Sequence, residues 1–194
     1  MLLSPGSEKI HVQPYHAVFA EGQAVIPMLN EADSLNNDGY GSRRKDRLLL
    51  LEPYETLYLV EKERIIVVDE KIQRTLSFQE LLAQFSENDL LGWTNYVTYR
   101  DLRSRGFVAK QGKNSHDHFL VYERGTFGKK PPNFYVLIVY EGATETVGHL
   151  QEVLEKVKNA CMTLKLAVID RRSEVVYYTL SEVNFKELVY EEIE

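Results

Sequence analysis

Tyr122 is the residue of this chain best suited to chemistry, because it ends the apolar segment Phe119–Val121 and precedes a basic loop. A phenolic hydroxyl can exchange a proton, but acid–base chemistry at a phosphate also needs a second proton donor and a cation. The loop offers cations at Arg124, Lys129 and Lys130 and contains no histidine. Tyr122 could also simply pack at a strand end, since tyrosine is common on half-buried strands.

The nearest upstream histidines are His116 and His118, on the same predicted strand or its leading turn. On a strand, His118 and Tyr122 would share a face but lie about 13 Å apart. That separation is too large for both to act on one phosphate without a bend. Because the pair also lacks a third ligand, a metal site is not favoured. We interpret both as ordinary turn or surface histidines, and we expect no metal and no cofactor.

The elements around Tyr122 are predicted to form a sheet with a helix packed on it. Apolar residues recur at three- and four-residue steps from Val147 to Cys161, which predicts a helix. The segment Phe134–Tyr140 is apolar on both faces, as is typical of a covered central strand. The predicted strands are Phe107–Lys110, Phe119–Tyr122, Phe134–Tyr140, Lys165–Asp170 and Glu174–Leu180.

The first half of the chain has the pattern of a small mixed domain. Short strand-like segments are followed by a polar stretch, Asn30–Arg47, whose turn-forming residues predict an irregular connector. Pro53 begins a predicted helix that ends near Lys62, and a capping box of Ser77 and Glu80 begins another. We predict an α/β (α+β) chain with an N-terminal mixed α/β domain over residues 1–88 and a C-terminal α/β domain over 89–194.

Composition limits the classes of function. The 194 residues carry a formal charge of −6, so the chain does not coat nucleic acid over its whole surface. A local basic patch can still attract phosphates, although each basic cluster could equally be a solvated surface. The clusters are Arg43, Arg44, Lys45 and Arg47; Arg100, Arg103 and Arg105; and Arg124, Lys129 and Lys130.

The chain has one cysteine, which excludes an intrachain disulfide. Its longest purely apolar run, Phe134–Tyr140, is too short to span a bilayer, and its first residues do not have the pattern of a secretory signal. We therefore expect a cytoplasmic protein without a membrane segment.

Four segments between about Asn37 and Val183 form a recognisable set, namely GYGSRRKDRLLLLEPYETLYLVEK, YRDLRSRGFVAK, FLVYERG and LAVID. Together they resemble the tRNA-splicing endonuclease family of the archaeal type. The resemblance implies a small N-terminal α/β domain followed by a nuclease-like α/β domain with a central mixed sheet flanked by helices. It also implies dimers or tetramers that cut precursor tRNA and leave 2′,3′-cyclic phosphate and 5′-hydroxyl ends.

The resemblance implies that a tyrosine, a histidine and a lysine perform the cleavage. The tyrosine corresponds to Tyr122, but Asn133 occupies the position of the histidine and Met162 that of the lysine. An asparagine amide has no titratable proton near neutral pH, and a methionine carries no charge. We therefore expect Tyr122 to be vestigial.

Partner contacts are also implied by the resemblance. An acidic loop of the family inserts into a neighbouring subunit, and here the corresponding loop offers Glu141 and Glu145, which could equally form a plain solvated turn. Family subunits also pair through C-terminal strands, where Val175 and Tyr177 are the candidates. The expected partners are a catalytic paralogue in a heterotetramer and, through the assembly, precursor tRNA, which Arg124, Lys129 and Lys130 could contact.

Three hypotheses follow from the sequence. The first is a non-catalytic structural subunit of a heterotetrameric tRNA-splicing endonuclease. The second is an active nuclease whose acid has moved to His116 or His118 and whose cation has moved to Lys129, Lys130 or Lys165. The third is an RNA-binding or interaction protein that uses the same fold, because a fold alone does not determine function.

Overall fold

A computed structural model describes residues 13–86, 92–112 and 117–181 of the chain. The described residues form ten strands and five helices in two sheets, which confirms the predicted mixed α/β fold class. Contacts within the chain divide it after Val108 into two units. The predicted domain boundary between residues 88 and 89 lies outside the described residues. None of the helices in the described ranges is long and apolar enough to cross a bilayer.

The first unit contains a five-stranded sheet in the order β3-β4-β2-β1-β5. Its elements are β1 (Tyr15–Ala20), β2 (Gln23–Ile26), α1 (Leu29–Asn37), β3 (Ser42–Arg43), β4 (Leu49–Leu51), α2 (Pro53–Glu61), β5 (Ile65–Asp69), α3 (Phe78–Ser86) and α4 (Gly92–Ser104). Strands β1 and β5 are parallel, while the other pairs in this sheet are antiparallel.

Helix α2 is the centre of the first unit, and its start follows from the sequence. Pro53 occupies the first turn, where its missing N–H costs nothing, and the backbone N–H of Glu52 donates to the Glu55 carboxylate at 3.1 Å. Six consecutive residues from position 54 to 59 are buried, because the helix is covered on several sides. Tyr54 packs on Tyr99 of α4 with ring centroids 4.7 Å apart. These contacts join α2 and α4 within the unit.

Helix α1 corrects the prediction of an irregular connector over Asn30–Arg47. The helix begins at Leu29 and continues to Asn37, and it buries Ala32 and Leu35 completely. Two buried apolar side chains three residues apart are enough to dock a short helix whose remaining surface faces water. The turn-forming residues that follow Asn37 end this helix instead of preventing it.

The second unit contains a five-stranded mixed sheet in the order β10-β9-β8-β7-β6. Its elements are β6 (Val108–Gln111), β7 (His118–Tyr122), β8 (Phe134–Tyr140), α5 (Val147–Asn159), β9 (Thr163–Ile169) and β10 (Val175–Leu180). Strands β8 and β9 are parallel and joined through α5, whereas β7–β8 and β9–β10 are antiparallel. A parallel pair requires such a crossover, and a helix usually supplies it.

Helix α5 covers one side of this second sheet. Its Val153 and Val157 pack against Tyr135, Leu137 and Leu164 in a single apolar cluster. Side chains alternate along a strand, so every second residue counted from Tyr135 or Leu164, together with its partners on the neighbouring strands, points toward α5. This side of the sheet is called here the α5 face. The opposite side of the same strands carries Phe119, Val121 and Val136, which are also buried.

Candidate functional site

The three positions that the family resemblance singles out lie next to one another at one end of the second sheet. Val121 of β7 is opposite Phe134 of β8, and Phe134 is alongside Thr163 of β9. One residue further toward the same end, Tyr122, Asn133 and Met162 therefore form a row across three strands, called here the Tyr122 row.

Backbone hydrogen bonds fix the middle of this row. The N–H of Asn133 donates to the carbonyl of Val121 at 3.0 Å, and the N–H of Thr163 donates to the carbonyl of Asn133 at 3.0 Å. Asn133 thus links β7 to β9 through its main chain alone. Since neighbours across paired strands point to the same side, all three side chains of the row lie on the α5 face.

Tyr122 is half-buried, and its ring meets the ring of Phe127 edge to face, with centroids 5.1 Å apart and planes at 87°. Phe127 is an aromatic residue five positions after Tyr122 in the basic loop, and sequence alone does not show that this loop folds back onto the tyrosine. The contact fixes the orientation of the tyrosine ring and occupies one side of it.

The loop between Tyr122 and Asn133 is compact. The carbonyl of Thr126 accepts hydrogen bonds from the N–H groups of Lys129 and Lys130, both at 2.9 Å. Gly125 and Gly128 adopt positive φ angles of 72° and 74°, which glycine tolerates better than other residues. The side chains of Arg124, Lys129 and Lys130 are exposed on this turn, so the three candidate RNA contacts share one short loop.

The row contains one titratable side chain and two neutral ones. The Asn133 amide can donate and accept hydrogen bonds but cannot transfer a proton near neutral pH. The Met162 side chain packs against the apolar cluster under α5, as expected of a flexible thioether. Beyond Tyr122, the row therefore carries neither a second proton-transfer group nor a cation to balance a phosphorane.

Lys165, a candidate for a relocated cation, lies on the other side of the sheet. It is three residues after Met162 on an extended strand, so its side chain points away from the α5 face. Its ammonium donates to Thr179 Oγ1 at 3.0 Å and lies 5.1 Å from the centroid of the Phe134 ring. Lys165 is therefore separated from Tyr122 by the sheet itself.

His118 corrects the prediction of an ordinary turn or surface histidine. It is 6% exposed, its ring stacks on Tyr135 at 4.2 Å, and its Nδ1 lies 2.8 Å from Asp117 Oδ1. Burial, with a smaller effect of the Asp117 carboxylate, raises the pKa of Tyr135 to about 12. The physical reason for the correction is that Tyr135 on the adjacent strand covers the imidazole. His116 lies outside the described residues.

The acidic loop after β8 carries Glu141 and Glu145. The N–H of Glu141 donates to the carbonyl of Ile169 at 2.8 Å, which fixes the start of the loop on β9 while its side chain remains exposed. Glu145, two residues before α5, places its Oε1 2.8 Å from Nδ1 of His149 in the first turn of that helix. The Glu145 carboxylate is thus held by His149, while Glu141 lies at an exposed position of the loop.

Strand β10 forms one edge of the second sheet. The predicted interface residues Val175 and Tyr177 are half-buried, because they lie opposite the buried Ile169 and Ala167. Their neighbours Val176 and Tyr178 are 50% and 56% exposed and lie on the α5 face. The most exposed apolar surface of this strand is thus on the alternate residues.

The first two basic clusters contain ion pairs with nearby carboxylates. Arg43 pairs with Asp33 and Arg44 with Asp46, and in the second cluster Arg105 pairs with Asp101 at 2.7 Å. Arg103 of the second cluster instead lies over the ring of Tyr40. These partners reduce the charge available to an external phosphate.

Comparison with known proteins identifies the class to which this fold and site belong. The model of the tRNA intron endonuclease N-terminal domain matches residues 15–82, and the model of the tRNA intron endonuclease catalytic C-terminal domain matches residues 92–177. The second match begins at α4, ends within β10 and contains the whole Tyr122 row.

Curated relatives agree with the family models. The chain is 30% identical to a tRNA-splicing endonuclease of Thermococcus kodakarensis, over 80% of this chain and 90% of the relative. It is 30% identical to one of Pyrococcus furiosus over 87% and 92%, and 28% identical to one of Methanococcus vannielii over 84% and 92%. The chain belongs to the tRNA-splicing endonuclease family, which confirms the resemblance in its sequence.

Proposed function

We propose that this chain is a non-catalytic, structural subunit of a heterotetrameric tRNA-splicing endonuclease of the archaeal type, acting in the cytoplasm. In this assembly a catalytic paralogue excises introns from precursor tRNA and leaves 2′,3′-cyclic phosphate and 5′-hydroxyl ends. The single observation that carries the proposal is the composition of the Tyr122 row, in which the neutral Asn133 and Met162 lie beside the one titratable group, Tyr122.

The chemistry explains why this composition matters. Metal-free RNA cleavage uses the neighbouring 2′-hydroxyl as nucleophile, so a base must remove its proton and an acid must protonate the departing 5′-oxygen. A cation must also stabilise the charge that develops on the phosphorane. Of the three residues in the row, Tyr122 is the one that can serve as a catalytic group. The amide of Asn133 and the thioether of Met162 can serve as neither of the others.

The alternative of a relocated acid and cation receives less support. His118 is buried under Tyr135, which prevents its imidazole from reaching a phosphate at the Tyr122 row. Lys165 projects from the opposite side of the sheet, where Thr179 binds it. The exposed Lys129 and Lys130 remain as cations close in sequence to Tyr122, but a cation without an acid completes only part of the mechanism.

Two surfaces support a role in assembly. The acidic loop presents Glu141, whose carboxylate could accept charge-assisted hydrogen bonds from a lysine or arginine of another subunit. The strand β10 exposes Val176 and Tyr178 at the edge of the sheet that the described residues form, a combination that favours coverage by a partner. We propose that the catalytic paralogue covers this edge.

The decisive experiment compares cleavage of an intron-containing precursor tRNA by this chain alone, by its catalytic paralogue alone and by the mixture. The structural role predicts cleavage by the mixture and none by this chain alone. Cleavage by this chain alone would identify it as an active nuclease. A mixture that does not assemble, with a paralogue that cuts unaided, would favour a separate RNA-binding or interaction role.

A further inference from the structure

The first unit carries four cationic side chains that each lie over a tyrosine ring. Arg103 and Arg64 both lie over Tyr40, with guanidinium carbons 4.1 Å and 5.4 Å from its ring centroid. The remaining pairs are Lys62 over Tyr58 at 5.6 Å and Arg100 over Tyr96 at 5.5 Å. These seven residues are called here the basic–aromatic face.

The four cations form one contiguous group. Tyr40, which contacts the first two arginines, stacks on Tyr58 with centroids 6.4 Å apart, and Lys62 lies over Tyr58. Lys62 and Arg100 then approach the same carboxylate, that of Glu61, at 3.7 Å and 3.8 Å. Contacts therefore connect the whole face from the end of α1 to the middle of α4.

The face has a surplus of positive charge. Its four cations are opposed by the carboxylates of Asp38, which pairs with Arg64 at 2.8 Å, and of Glu61. Within these contacts, four cations therefore meet two carboxylates, in a chain whose formal net charge is −6. A local surplus on an acidic protein attracts a polyanion to one surface and not to the rest.

The cations are held in place, and three of the four side chains remain partly exposed. The side chains of Lys62, Arg64 and Arg100 are 46%, 36% and 39% exposed. The tyrosines beneath them are buried. Arg103 is anchored more firmly, because it donates to the carbonyls of Asp38 at 3.1 Å and Phe107 at 3.4 Å. Cations that are already ordered lose less rotamer freedom when an anion binds.

We propose that the basic–aromatic face binds RNA phosphates and gives the first unit its own contact with precursor tRNA. Because the tyrosine rings are buried, bases cannot stack on them, so the contact is to the backbone and carries little sequence preference. The inference rests on the proposed function in one respect, namely that the assembly acts on precursor tRNA.

The test measures binding of a fluorescein-labelled, intron-containing precursor tRNA to the full-length chain by fluorescence anisotropy across a series of salt concentrations. The variant Lys62→Gln/Arg100→Gln removes two exposed cations of the face. Each lost phosphate contact lowers the slope of log K against log salt by about 0.7 to 0.9, so we expect a slope about 1.5 smaller and roughly tenfold weaker binding at low salt.

The charge-matched control is Lys71→Gln/Arg172→Gln, which removes two exposed cations outside the face. It should bind with the slope and affinity of the wild type. Equal losses of affinity in the two variants would show that net charge explains the effect, and this would overturn the proposal. Unchanged binding by the Lys62→Gln/Arg100→Gln variant would overturn it as well. Circular dichroism and the thermal midpoint confirm that both variants are folded.

The binding assay can fail independently of the proposed function. Cleavage by this chain alone would contradict a structural role and leave the binding prediction untouched. Conversely, the Lys62→Gln/Arg100→Gln variant is also tested for assembly with the paralogue. If it binds precursor tRNA as the wild type does and still assembles, the RNA contact of the basic–aromatic face is overturned and the structural role stands.

Discussion

Asn133 is held in the sheet by its backbone, which bonds to both neighbouring strands through its N–H and its carbonyl. A histidine at this position could make the same two main-chain hydrogen bonds. The identity of the side chain therefore affects the chemistry of the Tyr122 row without affecting strand pairing. The main chain of Met162 is also held independently of its side chain, because its N–H donates to the carbonyl of Val157 at 3.1 Å.

Replacing Tyr122 by phenylalanine tests whether the row still takes part in catalysis. Phenylalanine keeps the ring that packs on Phe127 and removes only the hydroxyl. We expect the reconstituted assembly to cleave precursor tRNA within about twofold of the wild-type single-turnover rate, because an isolated hydroxyl without an acid or cation contributes nothing. A working acid or base would be worth about 10²–10⁴-fold.

The positive control for this measurement is the partner, in which the catalytic tyrosine is replaced in the same way. That change should abolish cleavage by the assembly. A loss of about a hundredfold with Tyr122→Phe would instead assign Tyr122 a catalytic role and contradict the vestigial interpretation.

A few polar contacts define the start of helix α3. Ser77 Oγ accepts from the N–H of Glu80 at 3.3 Å, and Glu80 Oε2 accepts from the N–H of Ser77 at 2.8 Å. Arg74 also pairs with Glu80 at 2.6 Å. This is the reciprocal capping box that the sequence predicts.

The pH dependence of stability reports on this cap. The Arg74 guanidinium, followed by the backbone and hydroxyl of Ser77, lowers the pKa of Glu80 from 4.5 to about 2. A carboxyl whose pKa is lower in the folded state stabilises the fold above its unfolded pKa, and this contribution is lost as the pH falls from about 4.5 toward about 2. Glu80→Gln should therefore lower the thermal midpoint at neutral pH, and the difference from wild type should shrink across that interval.

Glu152→Gln, on an exposed position of α5, is the matched control for this experiment. It removes the same charge without removing a cap and should leave the thermal midpoint unchanged. A difference between Glu80→Gln and wild type that stays constant down to the acid limit would show that ionisation of Glu80 does not contribute to stability.

The elements that the sequence predicted well are those whose boundaries are set locally. Pro53 and the Ser77–Glu80 pair identify the starts of α2 and α3, because the residues that cap a helix are adjacent to it in sequence. Helix α1 was missed because its buried surface is only Ala32 and Leu35, too few positions to produce a clear helical period.

The arrangement of the site could be predicted only in part. The resemblance identified the positions Tyr122, Asn133 and Met162, but their alignment in one row depends on the register of three strands, which long-range pairing sets. The burial of His118 has the same origin, since Tyr135 on the next strand covers it. Neither result can be read from the residues adjacent in sequence.

For the whole molecule, β10 lies at an edge of the sheet that the described residues form, and it exposes Val176 and Tyr178. An edge strand with exposed apolar side chains favours pairing with another chain. Under the proposed structural role, this is the surface through which the chain would join the catalytic paralogue.

Placing charge on this edge should prevent assembly. We expect the Val176→Lys/Tyr178→Lys variant to remain folded and to elute as a separate species when mixed with the catalytic paralogue, as measured by size-exclusion chromatography with light scattering. Buried lysines would oppose association because they must lose their hydration.

Leu29→Lys/Ile72→Lys is the matched control, since both residues are apolar, about half exposed and in the first unit. This control should assemble as the wild type does. Normal assembly of the Val176→Lys/Tyr178→Lys variant would exclude β10 as the contact surface.

The main-chain hydrogen bonds of Asn133 have a consequence for how such a protein diverges. After a gene duplication, one copy can exchange a catalytic side chain for an inert one without a compensating change elsewhere, because the sheet does not depend on that side chain for its pairing. Selection on folding and selection on chemistry then act on different atoms of the same residue. A division of labour between two copies can therefore begin with a single codon.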